Sequence, residues 1–135
     1  MAIKFLIVDD SVTMRRIVIN SLKQIGHNDF CEAADGREAI TKLVSDPSIN
    51  FLITDWNMPE VSGLDLVKSI RSDQKLSSLP ILMVTTRGMK EDIIEALQAK
   101  VNNYIVKPFT PQVLREKIEQ TNDIGGTLTL PLNRF

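Results

Sequence analysis

The stretch FLIVDDSVTM, residues 5–14, decides the fold of this chain. Phe5, Leu6, Ile7 and Val8 form an apolar run without polar alternation, as in a strand buried on both faces. Asp9 and Asp10 end that run side by side. Adjacent carboxylates at the end of a buried strand repel each other and lose hydration, which a fold tolerates where something cationic sits. Ser11 then opens a segment whose apolar residues Met14, Val18, Leu22 and Ile25 recur at helical spacing, and Gly26 suits a C-terminal cap. Strand, acidic turn and amphipathic helix make one β–α unit.

The same unit recurs along the chain. Strands are predicted at residues 3–8, 29–34, 51–54, 80–85 and 103–107, and helices at 11–25, 35–45, 61–71, 90–99 and 111–121. In the second helix, opened by an Asp35 cap, Ala39, Ile40, Leu43 and Val44 are expected to face inward. Leu64, Val67 and Ile70 line the third helix, Ile93, Ile94 and Leu97 the fourth, and Val113, Leu114 and Ile118 the fifth. Alternating strands and helices with short connections predict an α/β fold: a doubly wound five-stranded parallel sheet, order 2-1-3-4-5, with helices on both faces.

Composition agrees with one globular domain: 135 residues, 43% apolar and 24% charged. A net charge of −1 without a basic run argues against nucleic-acid binding. Cys31 is the sole cysteine, which excludes an internal disulfide or a cysteine-built zinc site and suits a reducing compartment. The N-terminus lacks the cationic and apolar segments of a signal peptide, and no apolar run is long enough to span a bilayer. A cytoplasmic monomer with no membrane partner is therefore expected, with the domain at residues 1–122. Residues 123–135 fall outside the β–α pattern and read as a flexible tail, although TLTLPL alternates like an edge strand.

The polar residues gather at strand ends. Asp9 and Asp10 end strand one, Asp55 strand three, Thr85 and Thr86 strand four, and Lys107 strand five. In an open parallel sheet these ends share one edge, and ligands bind there where the strand order reverses, between strands one and three. Asp9, Asp10 and Asp55 would meet in an acidic pocket with Thr85 and Lys107 on its rim. A hard divalent cation resolves such a cluster, and oxygen-only ligands favour Mg²⁺. Pro108 allows a cis bond after Lys107. A Thr85 hydroxyl suits a phosphoryl oxygen, so the chemistry suggested is phosphoryl transfer to a carboxylate nucleophile.

With those residues placed, the chain resembles the response-regulator receiver domains, in particular their single-domain chemotaxis branch. The stretches that carry the resemblance are LIVDDSVTMRRI, ITDWNMPEVSGLDLVKSIR, PILMVTT and NYIVKPFTPQVLREK, spanning residues 3–121. It implies a flavodoxin-like receiver fold with Asp55 as phosphoacceptor, taking phosphate from a phosphohistidine on a chemotaxis histidine kinase. It further implies that the Asp10 and Asp55 carboxylates and the Asn57 backbone carbonyl hold Mg²⁺, with Asp9 acting through metal-bound water. Lys107 would pair with the phosphoryl group, Thr85 would swing toward it, and Tyr104 would move inward. Lys90, Ile93, Tyr104 and Lys117 match positions that bind the flagellar motor switch protein, and a phosphatase partner is also implied. A relay or phosphate-sink receiver that does not contact the motor is the alternative.

Several residues depart from that pattern or carry ordinary readings. Lys100 stands where the family has glycine after the fourth helix, so a different helix end is expected there. Arg87, with Asn57, is expected to flank the path of the hydrolytic water and to alter phosphoryl lifetime. Asp10 or Ser11 can cap the first helix. Trp56 is expected to be exposed, His27 solvated, Cys31 a small strand residue, and Arg15 and Arg16 a solvated helix face. Two other classes fit less well. A haloacid-dehalogenase-type phosphohydrolase needs Asp-x-Asp after strand one, and a flavodoxin-like cofactor binder needs a Ser/Thr/Gly-rich phosphate loop there.

Overall fold

Each apolar run forms a strand in the computed structural model, which describes residues 2–123. The strands are β1 (Phe5–Val8), β2 (Phe30–Ala33), β3 (Phe51–Thr54), β4 (Ile81–Thr85) and β5 (Asn103–Val106). The helices are α1 (Val12–Gln24), α2 (Gly36–Ser45), α3 (Gly63–Ser72), α4 (Lys90–Gln98) and α5 (Pro111–Asp123). The strands pair in parallel in the order β2-β1-β3-β4-β5, as the sequence predicts. Asp123 closes α5; the rest of the predicted tail lies outside the described residues.

Side chains alternate across the sheet and divide the core in two. Phe5, Ile7, Phe51, Ile53, Leu82, Val84 and Ile105 pack under α1 and α5. Leu6, Val8, Leu52, Ile81, Met83 and Tyr104 pack under α2, α3 and α4. Cys31 is a half-buried strand residue on the second face, as expected. The register sets Val8 beside both Ala33 and Thr54, so the residues that follow β1 and β3 emerge together at the carboxyl edge.

Capping follows local chemistry. Ser11, Asp35 and Ser62 accept from the backbone N–H of Met14, Glu38 and Asp65, which opens α1, α2 and α3. Ser11, not Asp10, is the cap of α1. Gly26 takes φ 98° at the end of α1, with its N–H on Lys23 and that of His27 on Leu22. The end of α4 corrects the expectation drawn from Lys100. Lys100 adopts the same left-handed turn, at φ 77°, with its N–H on Leu97 and that of Val101 on Ala96. The helix end is unaltered, and the non-glycine residue carries roughly 1 kcal/mol of strain. Arg71 holds it there, donating from Nε to the Lys100 carbonyl at 2.9 Å.

Two further expectations need correction. Val44 is 68% exposed, because it lies about 100° around the helix from Leu43 and beyond the buried stripe of Ala39 and Leu43. His27 is half-buried rather than solvated, with its ring edge-on to Phe5 at a centroid distance of 5.0 Å. Burial, then the Arg115 charge, hold its pKa below the ordinary 6.5. A depressed basic group contributes stability that is present above its unfolded pKa and lost as pH falls through the folded one. Urea unfolding at pH 7.5 and 5.5 is expected to show a shallower acid loss in His27→Gln than in the wild type; equal losses would refute this.

Candidate functional site

The site assembles from the ends of β1, β3, β4 and β5. The Asp9 N–H donates to Ala33 at 3.2 Å, and that of Asp55 to Val8 at 3.0 Å. Each strand thus runs one ladder bond past its last residue and delivers a carboxylate to the same place. Asp9, Asp10 and Asp55 each present an oxygen, and these oxygens lie within 4.8 Å of one another. Asp9 is buried, Asp55 half-buried and Asp10 exposed, so the pocket opens past Asp10.

Lys107 is the facing cation. Its Nζ lies 3.1 Å from Asp9 Oδ2 and 3.4 Å from Asp55 Oδ2, with the lysine side chain only 9% exposed. It is aimed by the bond from its own N–H to the Thr85 carbonyl, 2.8 Å, and the Lys107–Pro108 peptide is cis as anticipated. Desolvation raises the pKa of the Asp9 carboxyl, opposed by the Ser11 N–H and by Lys107. Three carboxylates facing one ammonium leave two negative charges uncompensated. An all-oxygen donor set with that deficit fits a hard divalent cation such as Mg²⁺.

The loop after β3 holds Asp55 rigidly. Its Oδ1 accepts from the Trp56 N–H at 2.6 Å, which leaves Oδ2 toward Lys107 and the pocket. The Gly63 N–H donates back to the Trp56 carbonyl at 2.8 Å. A Cβ at Gly63 would stand 1.8 Å from the Asp55 carbonyl oxygen, so only glycine lets α3 start against this loop. That fold-back corrects the expected exposure of Trp56, which is buried at 5% within the α2–α3–α4 cluster and faced by Arg87. Asn57 is exposed at the mouth, its Oδ1 accepting from Arg87 Nε at 3.0 Å.

Thr85 is fully buried, and its Oγ1 accepts from the Arg87 N–H at 3.3 Å. Tyr104 is 3% exposed and donates its hydroxyl to the Arg87 carbonyl at 2.7 Å. It already occupies an inward position, and burial followed by the Asp92 charge pushes its pKa well above the ordinary phenol value. Tyr104 lies in β5, an edge strand of the sheet, bordered by α4 and α5. Lys90 opens α4 and is exposed, whereas Ile93 on α4 and Lys117 on α5 are half-buried.

Two residues were not legible as part of the site. The solvated helix face expected for Arg15 needs correction: its Nη1 donates to the Asp9 carbonyl at 2.6 Å and its Nε to Glu32 Oε1 at 2.9 Å. It fixes the acidic turn to β2, while Arg16 is exposed as expected. The available signal was its place one turn after the Ser11 cap, within reach of the preceding turn. Gly63 was the other, marked only by a glycine at the start of an apolar helix.

An acidic pocket at the reversal of strand order, faced by a buried lysine and a strand-end threonine, sits on a doubly wound parallel sheet of order 2-1-3-4-5. The family model described as the response regulator receiver domain matches residues 5–119, and the chain belongs to that family. Within it, several curated relatives are chemotaxis proteins. The chain is 56% identical over 124 residues to a chemotaxis protein CheY homolog of Campylobacter jejuni, covering 92% of this chain and 93% of that one. It is 58% identical over 123 residues to chemotaxis protein CheY1 of Helicobacter pylori, covering 89% and 99%. Among solved structures, chemotaxis protein CheY4 of Vibrio cholerae superposes with a TM-score of 0.80 at 34% identity, covering 89% of this chain and 98% of that one. The chain is a receiver-domain response regulator of the chemotaxis group. Among the described residues, no helix is long and apolar enough to cross a membrane.

Proposed function

We propose that this protein is a cytoplasmic, monomeric response regulator that is switched on by phosphorylation of Asp55 and then binds the flagellar motor switch. The observation that carries the reading is the convergence of three carboxylate oxygens within 4.8 Å, with Lys107 Nζ 3.4 Å from Asp55 Oδ2. Asp55 Oδ2 is the nucleophile. Its bond to phosphorus forms as the bond from phosphorus to the kinase imidazole nitrogen breaks, and the histidine departs. The chain supplies the positioning for this transfer and for the later hydrolysis.

The Asp10 and Asp55 carboxylates and the Asn57 backbone carbonyl would hold Mg²⁺, with Asp9 acting through a metal-bound water. When bound, the ion neutralises charge on the transferring phosphoryl oxygens. Lys107, shared by Asp9 and Asp55 in the resting site, turns its ammonium to the phosphoryl oxygens. The Thr85 hydroxyl has a proton to donate, since its oxygen now serves as acceptor for the Arg87 N–H.

Charge-assisted contacts of this kind are worth about 1.5–3 kcal/mol each. Inverting a 1:99 population takes about 5.5 kcal/mol, so Lys107 and Thr85 reach it only when both contacts form fully. A partial shift, completed by the partner, follows. Lys90, Ile93 and Lys117 supply the surface for that partner, the switch protein, with Tyr104 buried at the same face. The test is acetyl phosphate with Mg²⁺, followed by titration with a motor-switch peptide. Phosphate-dependent tightening is expected in the wild type, and no labelling in Asp55→Asn. Affinity that does not depend on phosphate would overturn the reading.

A further inference from the structure

Arg87 touches both sides of the pocket mouth. Its Nε donates to Asn57 Oδ1 at 3.0 Å, and its guanidinium carbon lies 4.5 Å from the centre of the Trp56 ring. Its Nη1 stands 3.3 Å from Asp92 Oδ1. Asn57 and Trp56 belong to the loop that follows Asp55, and Asp92 to the first turn of α4. One side chain therefore straps the loop to the helix. A planar guanidinium can serve an amide oxygen, a carboxylate and an aromatic face at once, which an ammonium cannot.

The helix depends on such ties. The N-cap of α4 is Met89, whose side chain makes no capping bond and is 65% exposed. Ala96 is the single fully buried residue of α4, whereas α3 buries Gly63, Leu64, Leu66, Val67 and Ile70. A helix with an uncapped start and little apolar anchorage sits at the low-stability end of the fold. Its first turn is held from the pocket side, and the Arg87–Asp92 pair is the contact made there by a charged side chain.

We infer that Arg87 is a positioning residue whose side chain carries the state of the Asp55 pocket to the first turn of α4. This route runs beside the backbone contacts of Arg87 with Thr85 and Tyr104, and it rests on the phosphoacceptor reading above. Occupation of the pocket recruits Asn57 and draws Thr85 Oγ1 away from the Arg87 N–H. The guanidinium then loses its alignment on Asn57 and Trp56, and Asp92 loses its fixed partner.

The test uses the full chain with Mg²⁺ and beryllofluoride, a stable stand-in for an aspartyl phosphate. Bound fluoride is followed by fluorine NMR, the strap by the emission of Trp56, the chain's one tryptophan, and the helix by hydrogen exchange at residues 93–96, the first with intrahelical bonds. In the wild type, beryllofluoride is expected to shift the emission and to speed exchange at 93–96 about tenfold. In Arg87→Ala both readouts should stand at their shifted values before ligand, with no further change when fluoride binds. Asp92→Asn should keep the emission response and lose the exchange response. Wild-type exchange behaviour in Arg87→Ala, with fluoride bound, would overturn the inference. Absence of a bound-fluoride signal in the wild type would instead overturn the phosphoacceptor reading, and the inference with it.

Discussion

Lys107→Met is expected to lower the stability of the metal-free protein at pH 7 by about 3 kcal/mol, read as a lower urea midpoint. The substitution keeps the side chain's bulk and removes the ammonium that stands 3.1 Å from Asp9 and 3.4 Å from Asp55. Breaking a buried pair by removing one partner costs about 3–5 kcal/mol. The lower end applies because the pocket opens to water past Asp10. The loss should shrink on acidification. The Asp9 carboxyl already has a raised pKa, and losing the lysine raises it further, so proton uptake replaces the missing cation. It should also shrink on adding Mg²⁺ at pH 7. A midpoint that does not move at pH 7 would show that Lys107 bears no charge deficit of the pocket.

Gly63→Ala is expected to be the most damaging alanine substitution among the described glycines. Alanine is the better helix former by about 1 kcal/mol. Here that gain is overwhelmed, because the added Cβ meets the Asp55 carbonyl oxygen at 1.8 Å, the Asp55 carbonyl carbon at 2.7 Å and the Trp56 Cα at 2.9 Å. All three are backbone atoms and cannot turn aside. Overpacking typically costs about 1–3 kcal/mol, and a contact this short belongs at or beyond the top of that range. Relief requires α3 to retreat from the loop, which removes the Gly63–Trp56 bond and loosens Asp55. Acetyl phosphate labelling should therefore fall with Asp55 itself intact, alongside a lower urea midpoint. A variant with unchanged midpoint and labelling would refute the close approach.

The sheet was legible because its strands carry their burial in their composition: FLIV, FLIT and ILMVT have no polar face to misplace. The acidic cluster was legible because strand order and the parallel direction fix where strand ends meet, so Asp9 and Asp55 converge whatever lies between them. Contacts that depend on loops and long side chains were not legible. Trp56 was expected outside, since nothing local says that the loop folds back onto Gly63. Arg15 has the periodicity of a surface residue, yet its long stem returns to the Asp9 carbonyl. Val44 fails for the opposite reason, an apolar residue on a helix whose buried stripe is too narrow to include it. Lys100 shows that a tertiary partner can hold a backbone conformation that local preference disfavours.

That partner, Arg71, has a consequence for how the protein meets its ionic surroundings. Its guanidinium donates to the carbonyls of Ser77, Leu79 and Lys100 and to Asn102 Oδ1, which itself receives the Ile81 N–H. None of these acceptors carries a formal charge. The cation is solvated by peptide dipoles instead of being neutralised by a counter-ion. Mobile ions compete for surface pairs such as Lys4–Asp46, which weaken once the screening length falls to a few ångströms. Short dipolar contacts around a half-buried cation offer those ions little to displace. The corner joining α3, α4 and β5 should keep its grip in strong salt, where the pairs that decorate the rest of the surface let go.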